Sequence, residues 1–127
     1  MKKILVVDDD IDMQEMLKNV LVELGYLVEL ASDGRSALNR IAASTPDLII
    51  MDIRLPDING VSLCNEISRV KETGKIPIIM LTALSDVTTY HDAKLFGAVD
   101  YIVKPFDLEI LRDKIEKILT TVEKEKK

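Results

Sequence analysis

Five short apolar runs, four of them ending on a side chain capable of chemistry, constrain this chain more than any other feature. Residues 4–7 end at Asp8, Asp9 and Asp10, 47–51 at Asp52, 76–81 at Thr82, and 99–103 at Lys104; the remaining run, 27–31, carries Glu29. Between the runs, apolar residues recur every three or four positions, the period of a helix with one buried stripe. Met13, Met16, Leu17, Val20, Leu21 and Leu24 form the first stripe, and Gly25 closes it, as glycine does at many helix C-termini. Ser32 and Asp33 offer N-caps for a short helix over 36–42. A loop over 52–60 carries Pro56 and leads into a helix packing Val61, Cys64 and Ile67, with Val70 at its end. Ser85 can cap a fourth helix over 85–96, closed by Gly97. Asp107 can cap a fifth, with Leu108, Leu111, Ile115, Ile118, Leu119 and Val122 on one stripe.

Strands alternating with helices predict an α/β fold on a parallel sheet. Residues 4–7, 48–51 and 78–81 are continuously apolar, as strands covered on both faces are. Glu29 and Asp100 mark the second and fifth strands as edges. Right-handed crossovers then give the order 2-1-3-4-5, a flavodoxin-like (βα)5 three-layer sandwich. In such sheets ligands bind at the carboxyl ends of the strands, at the switch point between strands one and three.

The chain's 127 residues are enough for one domain with a substantial core. That domain is expected over 1–121, with 122–127 a charged tail or truncated linker. A net charge of −5 argues against direct nucleic-acid binding through the overall field. Cys64 is the single cysteine, which excludes an internal disulfide and a cysteine-built zinc site. The apolar start stops at Asp8, too early for a signal peptide. No run approaches the ~18 residues of a membrane span. The expected setting is cytoplasmic, away from any membrane.

Asp8, Asp9, Asp10, Asp52, Thr82 and Lys104 all fall at one edge of the predicted sheet. Converging carboxylates repel and raise one another's pKa unless a cation shares the site. Oxygen ligands without His or Cys suit Mg²⁺, with Mn²⁺ an option. Mg²⁺ takes one or two carboxylates and a phosphate oxygen, and the lysine and hydroxyl are donors for phosphoryl oxygens. A carboxylate held there can itself be the nucleophile, forming an aspartyl phosphate. Each piece also has a purely structural explanation. The acidic run can favour a helix N-terminus, Asp52 can cap a turn, Thr82 can end a strand, and Lys104 can be a solvated lysine. The shared sheet edge is what sets the combination apart. An EF-hand loop opening at Asp8 fails, because its sixth and twelfth positions are Met13 and Asn19. A flavin phosphate would be repelled by the acidic run, and no GxxxxGK[ST] loop is present.

Four segments, in order, carry a family resemblance. They are Ile4-Leu5-Val6-Val7-Asp8-Asp9-Asp10, Asp47-Leu48-Ile49-Ile50-Met51-Asp52-Ile53-Arg54-Leu55-Pro56-Asp57-Ile58-Asn59-Gly60, Pro77-Ile78-Ile79-Met80-Leu81-Thr82-Ala83, and Gly97-Ala98-Val99-Asp100-Tyr101-Ile102-Val103-Lys104-Pro105-Phe106. Over 3–120 the chain resembles a receiver domain of a two-component response regulator of the chemotaxis-regulator type. The resemblance implies that Asp52 is the phosphoacceptor. It implies that Asp8 and Asp9 hold Mg²⁺, Asp9 favoured as the direct ligand and Asp8 acting through water. The Arg54 main-chain carbonyl would be a further ligand. Thr82 and Tyr101 would be switch residues, Lys104 the lysine that pairs with the phosphoryl group, and Lys104-Pro105 a cis bond. Tyr101 could instead simply cover a helix as an edge-strand aromatic. Arg54 and Leu84 occupy positions that tune phosphoryl-group lifetime in this family.

The implied partners are a histidine kinase or phosphotransfer protein as donor, and an output domain or downstream protein. The latter would be reached through the face of the fourth helix, fifth strand and fifth helix. Thr88 and Thr89 lower the helix propensity of the fourth helix, which suits a moving part. Cys64 is expected as a buried small hydrophobe, and His91 as a solvated helix residue. Such a domain catalyses its own phosphorylation and slow dephosphorylation without being a turnover enzyme. The enzyme alternative is a Mg²⁺-dependent aspartyl-phosphate phosphatase of the haloacid-dehalogenase type. Its DxDx[TV] motif is broken, since Asp12 stands at the last position. The other alternative is an unphosphorylated pseudo-receiver, against which the intact set of Asp8, Asp9, Asp52, Thr82 and Lys104 speaks.

Overall fold

The computed structural model describes residues 1–83 and 97–125. The predicted fourth helix, with Leu84, Thr88, Thr89 and His91, lies outside them. The elements are β1 (Lys3–Val7), α1 (Ile11–Glu23), β2 (Leu27–Ala31), α2 (Gly34–Ala43), β3 (Leu48–Asp52), α3 (Gly60–Arg69), β4 (Ile78–Ala83), β5 (Asp100–Lys104) and α4 (Leu108–Glu125). The five strands form one parallel sheet in the order β2-β1-β3-β4-β5, so the flavodoxin-like order expected from the apolar runs is the one observed.

Alternation along each strand explains why the central runs are apolar throughout. Leu5, Val7, Ile49, Met51, Ile78 and Met80 face a core shared with α2 and α3. Ile4, Val6, Leu48, Ile50, Ile79 and Leu81 face a second core shared with α1 and α4. Both faces are covered, so no position in these strands tolerates a polar side chain until the strand ends. The edge strands, β2 and β5, are only partly buried. Asp100 on β5 receives Lys114 of α4 at 2.6 Å.

Local signals act as expected at most boundaries. Gly25 and Gly97 have φ of +98° and +99°, a region that suits glycine. Asp10 caps α1 by accepting from the amides of Asp12 and Met13, and Asp33 caps α2 by accepting from Ser36. Asp107 accepts from the Glu109 amide at the start of α4. Other details differ from expectation. Val70 ends α3 in extended conformation and is exposed, while Leu63 is buried in its place. Leu24 and Leu108 are also exposed; Leu24 is the C-cap of α1 and Leu108 the first residue of α4. Helix α4 runs to Glu125, past the predicted Val122, and Lys2 pairs with Glu123 at 2.8 Å. Cys64 is fully buried, and burial pushes its thiol up to about 11. Among the described residues no helix is long and apolar enough to cross a membrane.

Candidate functional site

The register of the sheet assembles the site. Val7 pairs with Met51, so the next residues along, Asp8 and Asp52, leave adjacent strands side by side. Asp52 pairs with Leu81, Thr82 with Val103 and Ala83 with Lys104. The four expected positions therefore meet at one end of the sheet.

Their side chains converge as well. One carboxylate oxygen from each of Asp8, Asp9 and Asp52 lies within 4.8 Å of the others. Lys104 Nζ donates to Asp52 Oδ2 at 3.0 Å and to Asp8 Oδ2 at 3.3 Å. Side-chain exposure falls from 25% at Lys104 to 14% at Asp52 and 1% at Asp8, while Asp9 is exposed. Burial raises the Asp8 carboxyl above its ordinary pKa; the Asp10 amide and Lys104 work against that, and the Asp52 charge adds to it. For Lys104, burial alone would lower the pKa, but the Asp52 and Asp8 carboxylates outweigh it and hold the ammonium above its usual value. The site thus combines three acids with one described cation, an excess of negative charge that a divalent ion would neutralise. The cluster has the chemistry to hold such an ion: hard oxygen donors and neither His nor Cys. Asp10 is set apart, because its side chain is engaged in capping α1.

The loop after Asp52 is closed tightly. Arg54 N–H donates to Asp52 Oδ1 at 3.1 Å, Gly60 N–H donates to the Ile53 carbonyl at 2.6 Å, and Arg54 and Asn59 form an isolated antiparallel bridge. Gly60 is the residue that lets the loop close. A Cβ there would lie 2.4 Å from the Asp52 carbonyl oxygen and 2.7 Å from the Ile53 Cα, both too near for a real contact. The Lys104–Pro105 peptide bond is cis.

Thr82 is buried, and its hydroxyl donates to the Ala83 carbonyl at 3.1 Å. Strand alternation puts it on the same face as Met80, and Tyr101, the β5 partner of Met80, packs partly buried on that face. Thr82 and Tyr101 are therefore neighbours across β4 and β5.

Two polar residues that tie together the segments around this site escaped sequence reasoning. Gln14 is buried on the α1 stripe, and its Nε2 donates to the carbonyl of Asp8, to that of Ala31 at 3.3 Å and to Ser32 Oγ at 3.0 Å. Its spacing from Leu17 and Leu21 was the available signal. Asp57 accepts from the amides of Gly34 and Arg35 at 2.8 and 3.0 Å; nothing in the local sequence points to so distant a partner.

Comparison with known proteins gives the chain a family. Residues 4–116 match the family model described as response regulator receiver domain. A probable transcriptional regulator, ycf27 of Guillardia theta, is 40% identical over 97% of this chain and 47% of its own length. The chain thus spans about half the length of the curated relatives it matches first. Among solved structures, chemotaxis response regulator CheY4 of Vibrio cholerae superposes with a TM-score of 0.86 at 33% identity, covering 93% of this chain and 98% of that one. Response regulator TrrA of Thermotoga maritima, crystallised with Mg²⁺ and BeF, superposes with a TM-score of 0.81 at 38% identity, covering 92% and 98%.

Proposed function

The chain belongs to the response regulator receiver domain family, and from that membership we propose that Asp52 is its phosphoacceptor and that Asp8, Asp9, Asp52 and the Arg54 carbonyl form a Mg²⁺ site. The domain's role is phosphorylation-dependent signalling. The observation that carries the residue assignment is the convergence of three carboxylates within 4.8 Å beside a lysine bound to two of them.

An Asp52 carboxylate oxygen is the nucleophile, and a phosphohistidine of a partner kinase or phosphotransfer protein is the donor. A phosphorus–oxygen bond forms as the phosphorus–nitrogen bond breaks, and the released imidazole takes up a proton. Mg²⁺, or Mn²⁺ in its place, supplies neutralisation of phosphoryl charge. Lys104 already donates to Asp52 Oδ2, so it is the donor beside the phosphoryl oxygens. Thr82 hydroxyl, satisfied by its neighbour's carbonyl, exchanges that partner for the same group. Its movement opens space on the face it shares with Tyr101, and the ring fills it, altering the surface of β5. An output domain or downstream protein reads that state as a population shift, through the face that the sequence assigns to the fourth helix, fifth strand and fifth helix. The domain modifies its own side chain and does not turn over a separate substrate. TrrA was solved with Mg²⁺ and a beryllofluoride group, which supports the use of that pair as a probe here.

Incubation with Mg²⁺ and acetyl phosphate should add the mass of one phosphoryl group, and Asp52→Asn should abolish the gain. Undiminished labelling of Asp52→Asn would place the acceptor elsewhere. A wild-type chain that takes no label from acetyl phosphate or a kinase would favour a pseudo-receiver.

A further inference from the structure

The first amide groups of a helix have no partners within it and must find acceptors elsewhere. In α2 those of Gly34, Arg35 and Ser36 all find one. Ser36 N–H is taken by the Asp33 side chain at 2.7 Å, and the helix's own first bond runs from Ala37 N–H to the Asp33 carbonyl at 3.1 Å. The remaining two, Gly34 and Arg35, donate to the two carboxylate oxygens of Asp57. Asp57 comes from the loop after β3, the same loop that carries Arg54. A second contact accompanies it. A Cβ on Gly34 would lie 2.3 Å from Ile58 Cγ2 and 3.4 Å from Asp57 Oδ1, so the loop tip is pressed against α2 at a point only glycine permits.

The loop is therefore fastened twice. Its base is closed by the Gly60–Ile53 hydrogen bond and the Arg54–Asn59 bridge, and its tip by Asp57. A loop held only at its base can rock about that base, and the Arg54 main chain rocks with it. We propose that Asp57 is a positioning residue for the metal site: by clamping the loop tip to the first turn of α2, it fixes the main chain at Arg54 for cation binding. This rests on the metal-site reading above. The two amides also hold the Asp57 carboxyl below the usual range, consistent with a charged acceptor in constant use. The rest of the α2 cap is independent, because Asp33 supplies it from within the local sequence.

That independence provides the control. Asp57→Ala and Asp33→Ala each remove capping from α2, but only Asp57→Ala also removes the loop's hydrogen bonds to α2. Mg²⁺ binding is measured by amide-shift titration and thermal midpoint by circular dichroism, at a temperature where every variant is folded. Asp57→Ala should raise the Mg²⁺ Kd about 10-fold, the size seen when an outer partner of a metal ligand is lost. Asp33→Ala should lower the thermal midpoint and leave the Kd unchanged. Asp57→Asn keeps one acceptor and the side-chain shape, so it should raise the Kd by ~3-fold and serves if the alanine variant does not fold. An unchanged Kd in Asp57→Asn, or in Asp57→Ala with a midpoint loss equal to that of Asp33→Ala, would reduce Asp57 to a helix cap and overturn the proposal. If the wild type itself gave no Mg²⁺-dependent shifts at Asp8, Asp9 or Asp52, the metal-site reading would be the part that fails.

Discussion

Replacing Asp9 by Asn should stabilise the domain without metal and destabilise it, relative to wild type, with metal. Asp9 is the exposed member of a set of three carboxylates with ligand atoms within 4.8 Å of one another. At that separation two unit charges repel by about 0.9 kcal/mol at the dielectric of water, the appropriate limit for an exposed group. Two such repulsions act on Asp9, from Asp8 and Asp52, and Lys104, bound to both partners, offsets part of them. The net relief is about 1 kcal/mol, or about 4 °C in thermal midpoint for a domain of this size. Bound Mg²⁺ reverses the sign. At a concentration of 100 times its Kd it stabilises the wild type by about 2.7 kcal/mol. A variant whose Kd is ~100-fold weaker gains about 0.4 kcal/mol at the same concentration. The wild type then leads by about 1 kcal/mol. Thermal unfolding of both proteins in EDTA and in Mg²⁺ measures all four states. The reasoning is refuted if Asp9→Asn is the less stable protein in EDTA, or if Mg²⁺ raises both midpoints equally.

Lys104→Met should cost about 2 kcal/mol at pH 7 in EDTA, since it leaves the buried Asp8 carboxylate without its counter-charge. Burial already raises the Asp8 carboxyl, and loss of Lys104 raises it further. A carboxyl raised in the folded state adds stability as pH falls, so urea unfolding should show the deficit shrinking as pH falls from 7 toward the ordinary carboxyl range. Gly60→Ala should destabilise by about 3 kcal/mol and abolish acetyl-phosphate labelling, because the added methyl meets the Asp52 and Ile53 backbone; labelling at the wild-type rate would show that the loop closes without it. Cys64 should resist iodoacetamide at pH 8 in the native state and react fully in urea. Its thiol is pushed by burial from 9.0 to about 11, so it contributes stability in full below pH 9.0 and loses that contribution as pH rises toward about 11.

The fold was legible because one physical constraint writes itself into consecutive residues. A strand covered on both faces must be apolar along its covered length, and β1, β3 and β4 are so over 4–7, 48–51 and 78–81. Edge strands admit charge, and Glu29 and Asp100 are where it appears. The same constraint made the cluster legible, because the first polar residue after each central strand lies at the sheet edge by construction. Details at helix ends were less readable. The stripe pattern extends through Leu24, Val70 and Leu108, yet these three are exposed. Periodicity gives a residue's angle around the helix but not the point at which the helix leaves the core.

Asp57 and Gln14 mark where local reading ends. Gln14 holds the end of β1 against that of β2, and Asp57 holds the loop after β3 against the start of α2. Both join segments far apart in sequence, and in both the partner is a main-chain group, which every residue offers and no sequence pattern marks. Residues that do chemistry announce themselves by type: a carboxylate, a lysine, a hydroxyl at a strand end. Residues that hold the chemistry in place bind amides and carbonyls, and they become visible only when the chain is folded. Both of these supports meet the same short segment, 31–35, which runs from the end of β2 into the start of α2. That segment is separated from the Asp52 strand by β1 and contributes no ligand of its own, yet it is the common abutment for Asp8 on one side and the Arg54 loop on the other. A substitution there, such as Gly34→Ala, should therefore disturb cation binding through the loop while leaving every proposed ligand in the sequence.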